Sequence, residues 1–176
     1  VTVVALGLVL AFEPPEPDIM QRPPRDANIP LLSGFLLWRI IFVSVLFAIG
    51  AFSMFAWAES HGASHELART IVVNTIVVMD VFYLFSVRYM RMTSFTWQGL
   101  LGTPAVLLGV GSIVLLQFGF TYLPFMQTLF QTQPVSIIDG IVIMGAGFIL
   151  FIILEIEKLI RRQVFSQDWL GRNLKQ

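Results

Sequence analysis

The sequence predicts an all-α integral membrane helical bundle with four complete transmembrane helices plus the second half of a fifth. Two observations carry that expectation. Of 176 residues, 56% are hydrophobic and 12% charged, with a mean hydropathy of +0.80. Soluble domains run at about a quarter charged, so a water-soluble globular enzyme is disfavoured from the start. The apolar residues also gather in runs close to the ~20 residues that a helix needs to cross a bilayer, and they run around the whole circumference rather than in one stripe.

Taken in order, Val1 to Phe12 (VTVVALGLVLAF) is roughly half a span. It lacks the basic leader and small-residue cleavage site of a signal peptide, and Glu13 and two prolines follow it directly. It is expected to be the remnant of a membrane helix, and the chain a fragment of something longer. Residues 13–34 form a cytoplasmic Pro-rich loop, 35–156 a four-helix membrane region and 157–176 a cytoplasmic basic tail. Within that region the spans are expected at about 35–57, 71–87, 104–123 and 137–156. The first is uncharged from Ile40 to Ala58. The second holds one acid, Asp80, in its middle. The third opens with Pro104 in a first turn, where a missing N–H does no harm. The last is apolar between Asp139 and Glu155.

Eleven basic and eleven acidic residues cancel, which leaves no net field to attract nucleic acid. The absence of cysteine excludes disulfides, Cys-based zinc sites and thiol catalysis. Sorting the charges across alternating spans is more informative. Residues 13–34, 88–103 and the tail, with Arg39 just inside a helix end, hold ten of the eleven positive charges, and Arg69 alone falls on the other side. The positive-inside rule then puts the Pro-rich loop and the C-terminus in the cytoplasm of a multi-pass protein, expected in the plasma (inner) membrane.

The first loop reads EPPEPDIMQRPPR, and its five prolines impose extended or turn backbone. A stiff linker would be the ordinary reading of such a stretch. Here the order of a Pro-Pro pair, an acid, Asp-Ile-Met and Arg-Pro-Pro-Arg resembles the loop after the sixth membrane helix of P-type cation-transporting ATPases, in the calcium-pump-like and sodium-pump-like branch. The likeness covers nearly the whole chain: LLSGFLLWRII (31–41) resembles the start of that family's seventh helix, and ARTIVVNTIVVMDVFYLFSVR (68–88) its eighth. FTYLPFMQTLF (120–130) resembles the external turn between the ninth and tenth, and LEIEKLIRR (154–162) the cytoplasmic exit.

The resemblance implies the C-terminal membrane portion of an ATP-driven cation pump, supporting the transport core. The Asp-Lys-Thr-Gly-Thr phosphorylation sequence and any glycine-rich phosphate loop are absent, so these residues cannot hydrolyse ATP alone. ATP and Mg belong to the parent protein. The implied partners are the transported cation, the lipid bilayer and the remaining helices and cytoplasmic domains of the same pump, with no nucleic acid. Asp18, Arg22 and Arg25 are the implied interdomain coupling residues of the loop.

By register, Asp80 stands where calcium pumps place a Glu that ligates a transported ion. An ionisable group near the bilayer centre costs at least ~2.5–3.5 kcal/mol and so faces protein, an ion or a proton path. The competing reading is a carboxyl held in a polar network, for which Tyr83 at i+3 is a candidate partner. Thr2 falls on a Thr of the calcium-pump ion site, but Val3 replaces its ligand Asp, and Leu6 the helix-breaking proline. Calcium prefers several carboxylates among six to eight oxygens, so the cation's identity stays open. A non-transporting membrane scaffold is the alternative function.

Other polar groups have plainer readings. Gln117 is expected to hydrogen-bond across to another helix, and Asn74 and Thr75 to be packing or interhelical hydrogen-bonding groups rather than ligands. Ala105, Gly109, Gly111, Ser112, Gly145, Ala146 and Gly147 offer surfaces for close helix approach. Trp38, Trp57 and Trp97 fall at span ends, and Trp169 in the tail. His61 and His65 lack the HExxH order and read as a solvated loop. Ser64 is placed to cap the next helix. Lys158, Arg161 and Arg162 are expected at the anionic membrane surface, as anchors.

Overall fold

A computed structural model describes residues 2–11, 34–88 and 104–173. Among them the chain is entirely helical: α1 Thr2–Ala11, α2 Gly34–Ser60, α3 His65–Arg88, α4 Pro104–Tyr122, α5 Pro124–Phe130 and α6 Ile137–Asn173. Asp18, Arg22, Arg25 and Trp97 lie outside the described residues. Among the described residues three stretches are long and apolar enough to cross a membrane: Leu36–Ser60, His65–Val87 and Ile137–Arg161. A fourth is reached if Val106–Tyr122 and Pro124–Phe130, bent by 73° at Leu123, cross as one.

The bend has a local cause. Pro124 cannot donate an N–H and disfavours helical backbone in the residue before it, and Leu123 is accordingly extended, at φ −74° and ψ 127°. The external turn expected around Pro124 is therefore a short helix, stopped by Gln131 in the left-handed region at φ 53°. At 19 residues α4 alone rises about 28 Å, just short of the roughly 30 Å hydrocarbon thickness.

Both sharp connections are built by the residues that the turns demand. Between α2 and α3, Gly62 takes φ +76°, and the Leu67 N–H donates to Ser64 Oγ at 3.1 Å, the expected cap. Before α6, the Ser136 hydroxyl donates to Asp139 Oδ2 at 2.7 Å, and the Asp139 N–H donates back to Ser136 Oγ at 3.2 Å, a reciprocal cap with Asp in the third position.

Helix α3 is the hub, packed against α6 and α2 on one side and against α1 and α4 on the other. Met79 on α3 meets Leu150 and Leu154 of α6 and a row of α2 aromatics and aliphatics. Leu6 of α1 joins Val77 and Leu84 of α3 and Val106 and Ile113 of α4. Close approach is concentrated at two glycines. A Cβ on Gly147 would meet Val78 Cγ1 at 2.6 Å and Phe82 Cδ2 at 2.7 Å, and one on Gly50 would meet the Met79 thioether. Gly111 and Gly145, expected to serve the same purpose, face open space, and the Ala105 side chain is outside the described set. Trp38 is exposed at its span end, whereas Trp57 is half-buried.

Candidate functional site

Asp80 lies on the face of α3 that its neighbours leave open. Residue spacing of about 100° puts Arg69, Val73, Ile76 and Asp80 within roughly 60° of one another, along one strip of the helix. Val73 is 38% and Ile76 36% exposed, high values for the helix at the centre of the packing. One flank of the strip, Val77 and Leu84, is covered by Leu6 of α1, and the other flank, Met79 and Tyr83, by α2. The carboxylate is half-buried, and no hydrogen bond or ion pair to it is present among the described residues. Tyr83 does not serve it: its ring is turned to α2, edge-on to Phe47 at 6.1 Å between centroids. Thr2 opens α1, but its side chain lies outside the described set.

Among the described residues, the buried Thr70, Thr75, Ser86, Thr121, Glu155 and Lys158 side chains are hydrogen-bonded within the chain, whereas Nη1 and Nη2 of the buried Arg39 make no hydrogen bond. At one end, Asn74 of α3 is a junction: its Nδ2 donates to Thr121 Oγ1 at 3.2 Å and to the Thr70 carbonyl at 2.9 Å, and Gln117 Nε2 donates to its Oδ1 at 3.2 Å. The interhelical bonding expected of Gln117 and Asn74 is therefore present. Thr75 takes the packing role: it is fully buried and its hydroxyl donates within its own helix to the Ile71 carbonyl, 2.8 Å away. Gln133, on the segment before α6, ties into the same end: its N–H donates to Thr70 Oγ1 at 3.1 Å, and Ser64 Oγ donates to its side-chain carbonyl at 2.9 Å. An apolar groove of about 400 Å³ between α3, α4 and α6 ends at Asn74, Gln117 and Thr121.

The other end, where α2 begins and α3 ends, holds charges that sequence reasoning placed at the membrane surface. Arg39, Glu155 and Lys158 are each only 4% exposed. Lys158 Nζ donates to Glu155 Oε1 at 2.7 Å, and Ser86 Oγ of α3 reaches the same oxygen at 3.4 Å. Glu157 Oε2 accepts from Arg161 Nη2 at 3.1 Å and faces Arg39 Nη1 of α2 at 3.9 Å. Lys158 and Arg161 are therefore components of a buried three-helix charge cluster rather than lipid-facing anchors. The signal was available: Glu155 and Lys158 at i, i+3 and Glu157 and Arg161 at i, i+4 are pairing distances on a helix. What remained hidden was that α6 continues unbroken past residue 156, carrying these groups against α2 and α3.

In the connection between α2 and α3, His65 Nδ1 is 3.8 Å from Glu59 Oε1 and His61 Nδ1 is 2.8 Å from the Trp57 carbonyl, all at exposed positions. Among the described residues there is no group of three His, Cys, Asp or Glu that could hold a metal.

The family model "Cation transporting ATPase, C-terminus" matches residues 1–160. The chain is 41% identical over 162 residues to the "Probable cation-transporting ATPase F" of Mycobacterium tuberculosis, covering 92% of the chain and 18% of that protein. It is 36% identical over 138 residues to the "Cation-transporting ATPase pma1" of Synechocystis, covering 76% and 15%. To the human "Calcium-transporting ATPase type 2C member 2" it is 27% identical over 159 residues, covering 89% and 17%. The chain thus spans less than a fifth of the length of these relatives.

Proposed function

The chain belongs to the cation-transporting ATPases, as their C-terminal membrane region, and from that premise we propose that it forms one wall of the ion path in an ATP-driven cation pump, with Asp80 as its contribution to the transported cation's site. ATP and Mg are handled by domains outside these residues. The observation that carries the reading is the open strip of α3. A carboxylate in the middle of a span, without a described partner and flanked by α1 and α2, is expensive against lipid and useful against a cation or the pump's remaining helices. Glu59, Glu66, Asp139, Glu155 and Glu157 each have a hydrogen-bond or ion-pair partner inside the chain, so among the described carboxylates of the spans Asp80 is the exception.

In this reading the charge-cluster end is cytoplasmic, in the plasma membrane. The helix α4 with α5 is the fourth crossing, and α1 is the second half of a fifth. Thr2 adds a second oxygen to the site, and Asp18, Arg22 and Arg25 couple the membrane region to the ATP-driven domains. With Val3 contributing no carboxylate, the site is poorer in charge than calcium prefers, which favours a cation with less demanding coordination.

The test is Asp80→Asn in the intact pump, read as phosphorylation from ATP against cation concentration. The expected result is a loss of apparent cation affinity of tenfold or more, about 1.4 kcal/mol. Unchanged cation dependence would overturn the ligand role and leave the carboxyl as a packing group.

A further inference from the structure

The strip that carries Asp80 carries one further charge. Arg69 lies eleven residues earlier on α3, displaced by only about 20° around the helix and about 16 Å along it. Its side chain is exposed, with no hydrogen bond or ion pair among the described residues. Between the two, Val73 and Ile76 leave an apolar, unpartnered track. Of the eleven basic residues, Arg69 is the one that the charge sorting leaves on the far side of the membrane. The cost of setting a charge against lipid extends from Asp80 to the whole track, because one continuous helix face carries both residues.

We infer that Arg69 sits at the extracytosolic mouth of the route to Asp80 and sets how weakly a cation is held from that side. The inference rests on the reading of Asp80 as an ion ligand. A fixed positive charge beside a path with low-dielectric walls raises the potential along it, since protein on both sides focuses the field and water screens it poorly. A cation at Asp80 in the outward-open pump is then destabilised by the guanidinium, and its return after release is disfavoured. A cation loaded at Asp80 from the cytosolic side feels the same guanidinium once bound, because both residues ride on one helix, but only the extracytosolic route passes Arg69 itself. The residue tunes release without touching the ion.

The experiment uses the intact pump in sealed vesicles with Ca²⁺ as probe, or Na⁺ if Ca²⁺ does not stimulate phosphorylation. The quantity read is the extracytosolic cation concentration that half-inhibits dephosphorylation of the phosphoenzyme. Arg69→Gln is expected to lower it about three- to tenfold and Arg69→Glu to lower it further, with Arg69→Lys at the wild-type value. Cytosolic half-activation should move in the same direction and by no more than the extracytosolic value. Raising inert salt to about 0.5 M should narrow the differences by shortening the screening length.

A series that does not follow charge, or Lys behaving as Gln does, would overturn the inference and make Arg69 an interfacial anchor. Asp80→Asn is run beside it on the cytosolic side. If that variant loses cation stimulation while the Arg69 series is flat, only the mouth assignment fails. If it leaves stimulation unchanged, the site reading fails and takes the inference with it.

Discussion

Glu155 and Asp80 are both carboxylates within the spans of one small bundle, and the chain treats them oppositely. Glu155 is 4% exposed, within 2.7 Å of Lys158 Nζ and 3.4 Å of Ser86 Oγ, in a cluster that joins α2, α3 and α6. Asp80 is half-buried between α1 and α2, with no described partner on its strip. The difference separates two uses of an expensive group. A charge that holds the bundle together is paired by the bundle itself, because removing an ion from water is repaid only by good geometry and full hydrogen bonding. A charge left open costs stability and is retained for something outside the chain.

The largest effect that tests this contrast is at Glu155. In Glu155→Ala, Lys158 is left buried without its nearest counter-charge, and breaking such a pair from one side costs roughly 3–5 kcal/mol. The detergent-solubilised pump should show a clearly lowered thermal midpoint, while the cation concentration for half-maximal phosphorylation stays where it was. Adding Lys158→Met should recover much of the loss, because removing both charges also removes the desolvation penalty. If Glu155→Ala shifts cation affinity as strongly as Asp80→Asn does, the division between structural and functional carboxylates collapses.

The contrast was half legible in the sequence. Hydrophobic runs and the lopsided distribution of basic residues were enough for an all-helical, multi-pass membrane chain, because span length and backbone satisfaction leave few other choices. Asp80 stood out for the same reason: a lone acid among apolar neighbours is conspicuous in one dimension. The partnership of Gln117 with Asn74 was also expected, since an amide facing lipid is costly. The pairs within α6 were legible from their spacing, but the three-helix cluster was not, because Arg39 and Ser86 sit about seventy to over a hundred residues from their α6 partners and Arg39 reads as an ordinary end-of-span cation until the helices are stacked. The same holds for the glycines. Composition marks every small residue as a possible contact, but only packing shows that Gly147 meets Val78 and Phe82 while Gly145 meets nothing.

A smaller effect is expected at the opposite end, where the links are neutral. Asn74 bonds Thr121 and Gln117 of α4 as well as the Thr70 carbonyl one turn back. Interhelical hydrogen bonds in membrane proteins average about 0.6 kcal/mol and reach about 1.7, because the separated helices find other partners. Asn74→Val should therefore lower thermal stability by about 1 kcal/mol, with cation affinity retained. A loss as large as that at Glu155 would show that the amide junction, rather than the ion cluster, is the principal polar link of the bundle.

The smallest stability change should come from the residue with the largest functional one. Asp80→Asn removes a charge that nothing described in the chain compensates, and it keeps the shape of the side chain while turning one acceptor oxygen into an NH2 donor. The carboxylate therefore gives up no internal bond when it becomes an amide, and the desolvation cost of the charge disappears. Thermal stability of the cation-free pump should be unchanged within about 0.5 kcal/mol or should rise, as happens where a site is kept for function at a cost in stability. Added cation should then stabilise the wild type more than the variant, because a ligand that binds only the folded protein raises stability in proportion to the logarithm of its occupancy ratio. A marked destabilisation of the cation-free variant would mean that Asp80 already has a structural partner, and it would move this carboxylate into the same class as Glu155.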